Sequence, residues 1–236
     1  MAVLSLLQLD TGFPRIAGDV GCRETFRAEL DIHVLDDLSV ARVVTPDPQA
    51  DDMDRLGAVL AGTRGDVITT SCGFLSVWQD RLAARAPAPF VSSALHALPS
   101  ILRRYESSEL AILTFDAATL RAPAFAPSLH GFDGPIFGLA DGSHLKQVIA
   151  DDLPRLDAAR AEAEVTDLVA GLVARHRPKA LLLECTNLPP YKPALAARFG
   201  LEIFDILTLI DSVNPDIVDP AFLQARDGRK GTDRHE

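Results

Sequence analysis

VITTSCGF (residues 67–74) and ALLLECTNLPP (residues 180–190) are two similar stretches of sequence, and together they decide the fold. In each stretch a short apolar run ends near a cysteine, and residues that favour a turn follow. A continuous apolar run of this length predicts a strand that is buried on both faces, as in a parallel sheet. Cys72 and Cys185 therefore occupy matching positions at the ends of two strands, and each belongs to a different half of the chain.

The rest of the chain alternates between strand-like and helix-like segments. Further strands are predicted at 2–9, 109–115 and 136–139, helices at 51–60, 143–150 and 152–175, and extended structure at 29–35 and 40–44. This alternation predicts an α/β fold with mainly parallel sheets. Ligands of such folds bind at the carboxyl ends of the strands, where both cysteines lie.

Composition and charge restrict the classes of partner. The chain has 236 residues, of which 47% are apolar and 24% charged, as in ordinary globular proteins. Its net charge of −10 argues against nucleic acid as a partner. The opening residues do not resemble a signal peptide, and no apolar run approaches the roughly 20 residues that span a bilayer. We therefore expect a cytoplasmic protein without a membrane or nucleic-acid partner.

Three widely separated cysteines form neither a disulfide framework nor a zinc cluster, so we expect reduced thiols and no metal. A thiolate is the reactive form of cysteine, and a helix start lowers the thiol pKa. Two thiols on opposite sides of one carbon suit proton removal and return. The plain alternative is that each cysteine is a small buried apolar residue. Cys22 lacks a preceding strand, and we interpret it as structural.

Other residues near the two strand ends are candidates for substrate binding. They supply hydroxyls, backbone N–H groups, an amide or a carboxylate: Asp19, Thr70, Ser71, Gly73, Phe74, Thr114, Thr186 and Asn187. Asp19 has the alternative of forming an Asx turn. Arg15 is suited to bind a carboxylate in a bidentate manner, but we expect a surface arginine there.

The two cysteine segments resemble the signature segments of the aspartate/glutamate racemase superfamily. This superfamily includes cofactor-independent racemases, maleate isomerases and arylmalonate decarboxylases. The resemblance implies two pseudo-symmetric α/β subdomains with the active site in the cleft between them, no cofactor, and Cys72 and Cys185 as the opposed acid and base. It also implies that a homodimer is possible.

The same segments, together with Pro14–Gly21, resemble the algal dimethylsulfoniopropionate lyases of that superfamily. Two positions depart from these patterns. Typical amino-acid racemases carry Cys-Asn-Thr at the first site, where this chain has Cys72-Gly73-Phe74, and Asn187 stands where Glu is common. The departures put aspartate or glutamate as the substrate in doubt.

The sequence therefore predicts a racemase-like or isomerase-like enzyme acting on a small carboxylate. A lyase that eliminates from such a carboxylate is one alternative, and a non-catalytic protein that binds it is another. We expect residues 1–93 and 203–223 to form the first subdomain with Cys72, and 94–202 to form the second with Cys185. The charged segment 224–236 is expected to be a disordered tail.

Overall fold

The computed structural model describes residues 1–223, and the predicted tail lies outside the described residues. The chain forms two four-stranded parallel sheets with helices packed around them, so the predicted α/β class with two subdomains is confirmed. The strands of the first sheet are β1 (Val3–Leu9), β2 (Glu29–Leu35), β3 (Val67–Thr70) and β4 (Phe90–Val91). Those of the second are β5 (Leu110–Thr114), β6 (Ile136–Gly138), β7 (Ala180–Leu183) and β8 (Glu202–Phe204).

The two sheets have the same internal order, which makes the halves pseudo-symmetric. The first sheet is ordered β2-β1-β3-β4 and the second β6-β5-β7-β8. In both, the first strand of the half lies between the second and the third. Cys72 follows the third strand of its half and Cys185 the third strand of the other, so the two cysteines occupy equivalent positions.

The helices of the described residues connect and cover these strands. They are α1 (Val40–Val43), α2 (Ala50–Leu60), α3 (Gln79–Ala83), α4 (Leu98–Ile101), α5 (Ala117–Leu120), α6 (His144–Ala150), α7 (Ala158–His176), α8 (Lys192–Phe199) and α9 (Ile206–Val213). Short 3₁₀ helices lie between them at Arg23–Thr25, Gly73–Trp78, Ala94–Ala97, Ser107–Glu109, Pro123–Phe125, Pro127–Leu129, Pro189–Tyr191 and Pro220–Phe222.

Two local predictions are wrong. Residues 40–44 were expected to be extended, but the Ser39 side chain caps a helical turn there and forms α1 instead. The long helix expected from residue 152 begins only at Ala158, because Asp157 is its N-cap and accepts a hydrogen bond from the backbone N–H of Arg160.

The central strands are buried along their whole length. Every residue of β3, β5 and β7 is buried, which explains why these strands read as continuous apolar or β-branched runs. The chain returns to the first half after α9, where the backbone N–H groups of Arg27 and Ala28 donate to the carbonyl of Ile217. β8 lies in the second sheet, and the proposed boundary between residues 202 and 203 stays a prediction.

Candidate active site

Cys72 and Cys185 line the same cavity, which both halves of the protein enclose. The space between its lining atoms is about 360 Å³ with the open mouth included, which suits a small ligand. Three aromatic rings contribute to the walls, those of Phe13, Phe74 and Phe115. The cavity therefore brings together two thiols that lie 113 positions apart in the sequence.

The backbone around each cysteine turns sharply at the end of the strand. Cys72 precedes the 3₁₀ helix Gly73–Trp78, and the backbone N–H groups of Phe74 and Leu75 interact with its thiol. The N–H of Asn187 interacts in the same way with the thiol of Cys185. In both halves, backbone donors thus stabilise a negative charge on sulfur.

Burial nevertheless raises the pKa of both thiols. The pKa of Cys72 rises from 9.0 to about 12, mainly because burial penalises the thiolate, and the charge of Glu184 contributes further. The pKa of Cys185 is raised well above its ordinary value for the same two reasons. The expected lowering by a helix start is therefore wrong as a net effect. Burial therefore favours the protonated form of both thiols.

A chain of hydrogen bonds connects Cys185 to the loop after β1. The Cys185 thiol donates to Asn187 Oδ1 at 3.7 Å, and Asn187 Nδ2 donates to Asp19 Oδ2 at 2.6 Å. Asp19 Oδ1 in turn accepts from the guanidinium of Arg15 at 3.2 Å. These contacts hold Asn187 and Asp19 on either side of the junction between the two halves. Asp19 lines a smaller neighbouring cavity, of which Asn187 is also a wall.

Arg15 lines the thiol cavity itself and is not the surface residue that we expected. Its guanidinium lies over the ring of Phe13, 4.3 Å from the ring centroid, and donates to Thr11 Oγ1 at 3.1 Å. Its Nε is buried and has no hydrogen-bond partner among the residues that the structure describes. Arg15 therefore offers one unused donor to an anionic group.

The residues predicted to bind substrate fall into two groups: some line the cavity, and others lie behind its wall. Ser71, Gly73, Phe74, Thr186 and Asn187 all line the cavity. Thr186 Oγ1 donates to the backbone carbonyl of Ser71 at 2.6 Å and thereby joins the two strand ends directly.

Three predicted residues, Asp19, Thr70 and Thr114, are not part of the wall of the thiol cavity. Thr70 Oγ1 donates to the carbonyl of Ser92 at 2.7 Å and supports the strand end from behind. Thr114 Oγ1 donates to Glu184 Oε2 at 2.5 Å. Neither threonine lines the cavity, and their predicted role in substrate binding stays a prediction.

Glu184 is the ionisable residue of the cavity that sequence reasoning missed. It lines the cavity although its relative exposure is 0%, and burial raises the pKa of its carboxyl from 4.5 to about 7. The only signal in the sequence was a charged residue placed directly between an apolar strand and a cysteine. Such residues are seldom fully buried without a partner.

Residues 1–223 contain no group of three or more His, Cys, Asp or Glu side chains placed to hold a metal ion. Within the same residues, no helix combines the length and the apolar character required to cross a membrane.

The fold defined by these sheets is similar to that of two solved racemases and of arylmalonate decarboxylase. Aspartate racemase from Picrophilus torridus superposes with a TM-score of 0.55 and 12% identity, over 94% of this chain and 98% of the racemase. Allantoin racemase from Pseudomonas fluorescens superposes with a TM-score of 0.58 and 11% identity, over 92% of this chain and 89% of the racemase. Unliganded arylmalonate decarboxylase superposes with a TM-score of 0.54 and 12% identity, over 86% of each chain. The fold that the resemblance implied is confirmed.

Sequence similarity points to one group of relatives in particular. Dimethylsulfoniopropionate lyase 3 of Emiliania huxleyi is 26% identical over 92% of this chain and 60% of the lyase. Dimethylsulfoniopropionate lyase 5 of the same organism is 28% identical over 93% of this chain and 46% of the lyase. The dimethylsulfoniopropionate lyase of Durusdinium sp. clade D is 24% identical over 100% of this chain and 81% of the lyase. The chain thus spans about half to four fifths of the length of these relatives. No protein-family model matches the sequence.

Proposed function

We propose that this chain is a cofactor-independent enzyme that removes and returns a proton beside the carboxylate of a small substrate, as a racemase or isomerase does. One observation carries the proposal: Cys72 and Cys185 occupy equivalent positions after the third strand of each half and line one cavity. The similarity of the fold to two racemases supports it.

The chemistry uses the two thiols in turn. The thiolate of one cysteine takes the proton from the carbon next to the carboxylate, so that a C–H bond breaks and an S–H bond forms. The thiol on the other side then donates its proton to the same carbon. A thiol whose pKa is raised by burial becomes a strong base once it ionises, as a carbon acid requires. The hand of the substrate decides which cysteine acts first.

The negative charge that develops on the substrate requires donors. Arg15 has a buried Nε without a partner in the described residues and is our candidate for the substrate carboxylate. The backbone N–H groups of Phe74 and Asn187, which interact with the two sulfur atoms, belong to residues of the same walls. Donors fixed in this way stabilise an enolate-like charge without reorganising during the reaction.

Elimination is the second candidate, and the lyase relatives favour it. Their similarity covers over nine tenths of this chain, including both cysteine segments. In a lyase the first step is the same proton abstraction, but a leaving group such as dimethyl sulfide departs before a proton returns. The resemblance places Asn187 where Glu is common, which implies that a sulfonium substrate would be held differently here.

Deuterium exchange tests both candidates together. The protein is incubated in heavy water with aspartate, glutamate, a hydantoin, a malonate or dimethylsulfoniopropionate, and NMR follows the substrate proton and any unsaturated product. We compare the wild type with Cys72→Ser, Cys185→Ser and, as the matched control, Cys22→Ser, whose thiol hydrogen-bonds to Glu24 outside the cavity.

A racemase requires both cavity cysteines and exchanges the proton without net loss of substrate. A lyase yields an unsaturated acid and loses activity when the cysteine that acts as base is replaced. Binding of a panel compound without any exchange would instead favour a non-catalytic binding protein, and equal activity in all three variants would contradict the proposal. The cytoplasmic location and the homodimer stay predictions.

A further inference from the structure

The carboxyl of Glu184 is buried in the cavity with only one of its oxygen atoms bonded. Oε2 accepts the hydroxyl of Thr114 at 2.5 Å, whereas Oε1 has no hydrogen-bond partner in the described residues. No cation within residues 1–223 forms an ion pair with this carboxyl, since none of the salt bridges there includes it. A buried carboxylate with one unpaired oxygen and no cation beside it is costly, so structural stability does not account for this group.

Glu184 lies close to both cysteine segments. A Cβ atom built on Gly73 would overlap Glu184 Oε1 and would lie 2.7 Å from its carboxyl carbon. The free oxygen therefore lies against the residue that follows Cys72, while Glu184 itself directly precedes Cys185 in the chain. All three side chains line the same cavity.

The proposed reaction requires an acceptor for a thiol proton. The cavity lining within the described residues contains four ionisable side chains: Arg15, Cys72, Glu184 and Cys185. Arg15 keeps its proton in any protein. The pKa of Glu184 is about 7, so its carboxyl changes charge near neutral pH, where both thiols are protonated.

We propose that Glu184 accepts the proton of Cys72 when that thiol ionises and returns it at the end of the reaction cycle. The S–H bond of Cys72 breaks, an O–H bond forms at Oε1, and the negative charge moves from the carboxylate to the sulfur. No charge enters or leaves the cavity in this step. The inference rests on the proposed function, because it assigns the base that the thiol chemistry needs.

The charges around the pair are consistent with this transfer. Ionised Glu184 raises the pKa of both thiols, so protonation of Glu184 removes a repulsion at the moment when thiolate forms. Arg15 lowers the pKa of Cys72, and the N–H groups of Phe74 and Leu75 act in the same direction. Cys185 interacts electrostatically with both carboxylates, because the charge of Glu184 raises its pKa and the charge of Asp19 raises it further.

The pH profile of exchange tests the inference. With whichever panel compound the wild type exchanges, kcat should increase as the pH rises through about 7, because Glu184 must be ionised to accept the proton. Glu184→Gln keeps the shape but cannot accept a proton. Its kcat near pH 7.5 should be lower by about 100-fold, with the step near pH 7 abolished and activity regained only at alkaline pH.

Thr114→Val provides a second variant that retains the carboxyl. It removes the hydroxyl that lowers the pKa of Glu184, so the step in the profile should move to higher pH with little change in the plateau. The inference would be overturned if Glu184→Gln had the kcat of the wild type and its pH profile kept the rise at the same pH. An effect on KM alone would also overturn it, because it would mean that Glu184 binds the substrate.

A measurement without substrate separates this inference from the proposed function. The rate of alkylation by iodoacetamide reports the thiolate fraction of Cys72, and mass spectrometry identifies the residue. Because Glu184 and Cys72 share one negative charge, Glu184→Gln should shift the alkylation profile of Cys72 to lower pH. An unshifted profile would overturn the inference even if exchange occurs. A shifted profile without exchange by any panel compound would contradict the proposed function alone.

Discussion

Gly73 and Glu184 are matched to each other at the scale of single residues. The sequence alone offered no reason for glycine directly after Cys72. In the structure, the carboxyl of Glu184 fills the space that a side chain at position 73 would need. Glycine at position 73 therefore leaves the space in which the carboxyl of Glu184, from the opposite half, lies.

This coupling predicts the effect of Gly73→Ala. The new methyl group would overlap Glu184 Oε1 and lie 2.7 Å from the backbone carbonyl of the same residue. Because both atoms are buried, we expect a loss of about 1–3 kcal/mol in the free energy of unfolding, measured by urea titration. Gly171→Ala is the control, since no atom lies within 4 Å of its added methyl group in α7. The control should gain about 0.5–1 kcal/mol, and equal effects at the two sites would contradict the explanation.

At the scale of elements, the loop after β1 carries Phe13 and Arg15 into the cavity and is held by a residue from the other half. Asp152, in the turn after α6, accepts the backbone N–H groups of Gly12 and Phe13 at 2.8 Å each. These hydrogen bonds join residues about 140 positions apart. The position of the cavity wall thus depends on a turn that lies outside the cavity.

We expect Asp152→Ala to release this loop. Hydrogen exchange at Gly12 and Phe13 should become faster, and the free energy of unfolding should fall by about 1 kcal/mol because hydrogen bonds to a charged acceptor at the surface are lost. Asp151→Ala removes an adjacent exposed carboxylate that makes no side-chain hydrogen bond in the described residues. It should leave exchange at both amides unchanged. Unaltered protection in Asp152→Ala would refute this role.

The strands could be predicted because strands that are buried on both faces appear in the sequence as continuous apolar runs. The runs around Val67 and Leu181 gave β3 and β7, and with them the positions of both cysteines. Helix boundaries were harder to predict from the sequence, since the start of α7 depends on the capping side chain of Asp157 rather than on the apolar periodicity. The burial of Arg15 and Glu184 could not be predicted, although the sequence suggested Arg15 as a partner for a carboxylate. Both side chains line a cavity that residues of the two halves enclose, which no local pattern records.

At the scale of the whole molecule, the cavity exists because two equivalent half-folds place the ends of their third strands together. Each half alone presents one cysteine at the edge of an open sheet. The hydrogen bonds from Thr186 to Ser71 and from Asn187 to Asp19 cross between the halves and close the cavity. Sequestration from water then raises the pKa of every acid inside.

That sequestration predicts how the stability of the molecule depends on pH. The pKa of Glu184 is higher in the folded protein, at about 7, than its ordinary value of 4.5, so the folded state binds the proton more tightly. The resulting stabilisation is complete below pH 4.5 and is lost as the pH rises through about 7. Its size is about 3 kcal/mol.

Urea titrations of the wild type and Glu184→Gln between pH 4.5 and pH 8 measure this contribution. Because Gln stays neutral, the difference in unfolding free energy between the two proteins should shift by about 3 kcal/mol in favour of the variant as the pH rises. His96, whose pKa burial lowers to about 4, gives the opposite trend but is present in both proteins and cancels. A difference that stays constant with pH would mean that Glu184 titrates as an exposed carboxylate, and that water reaches the cavity freely.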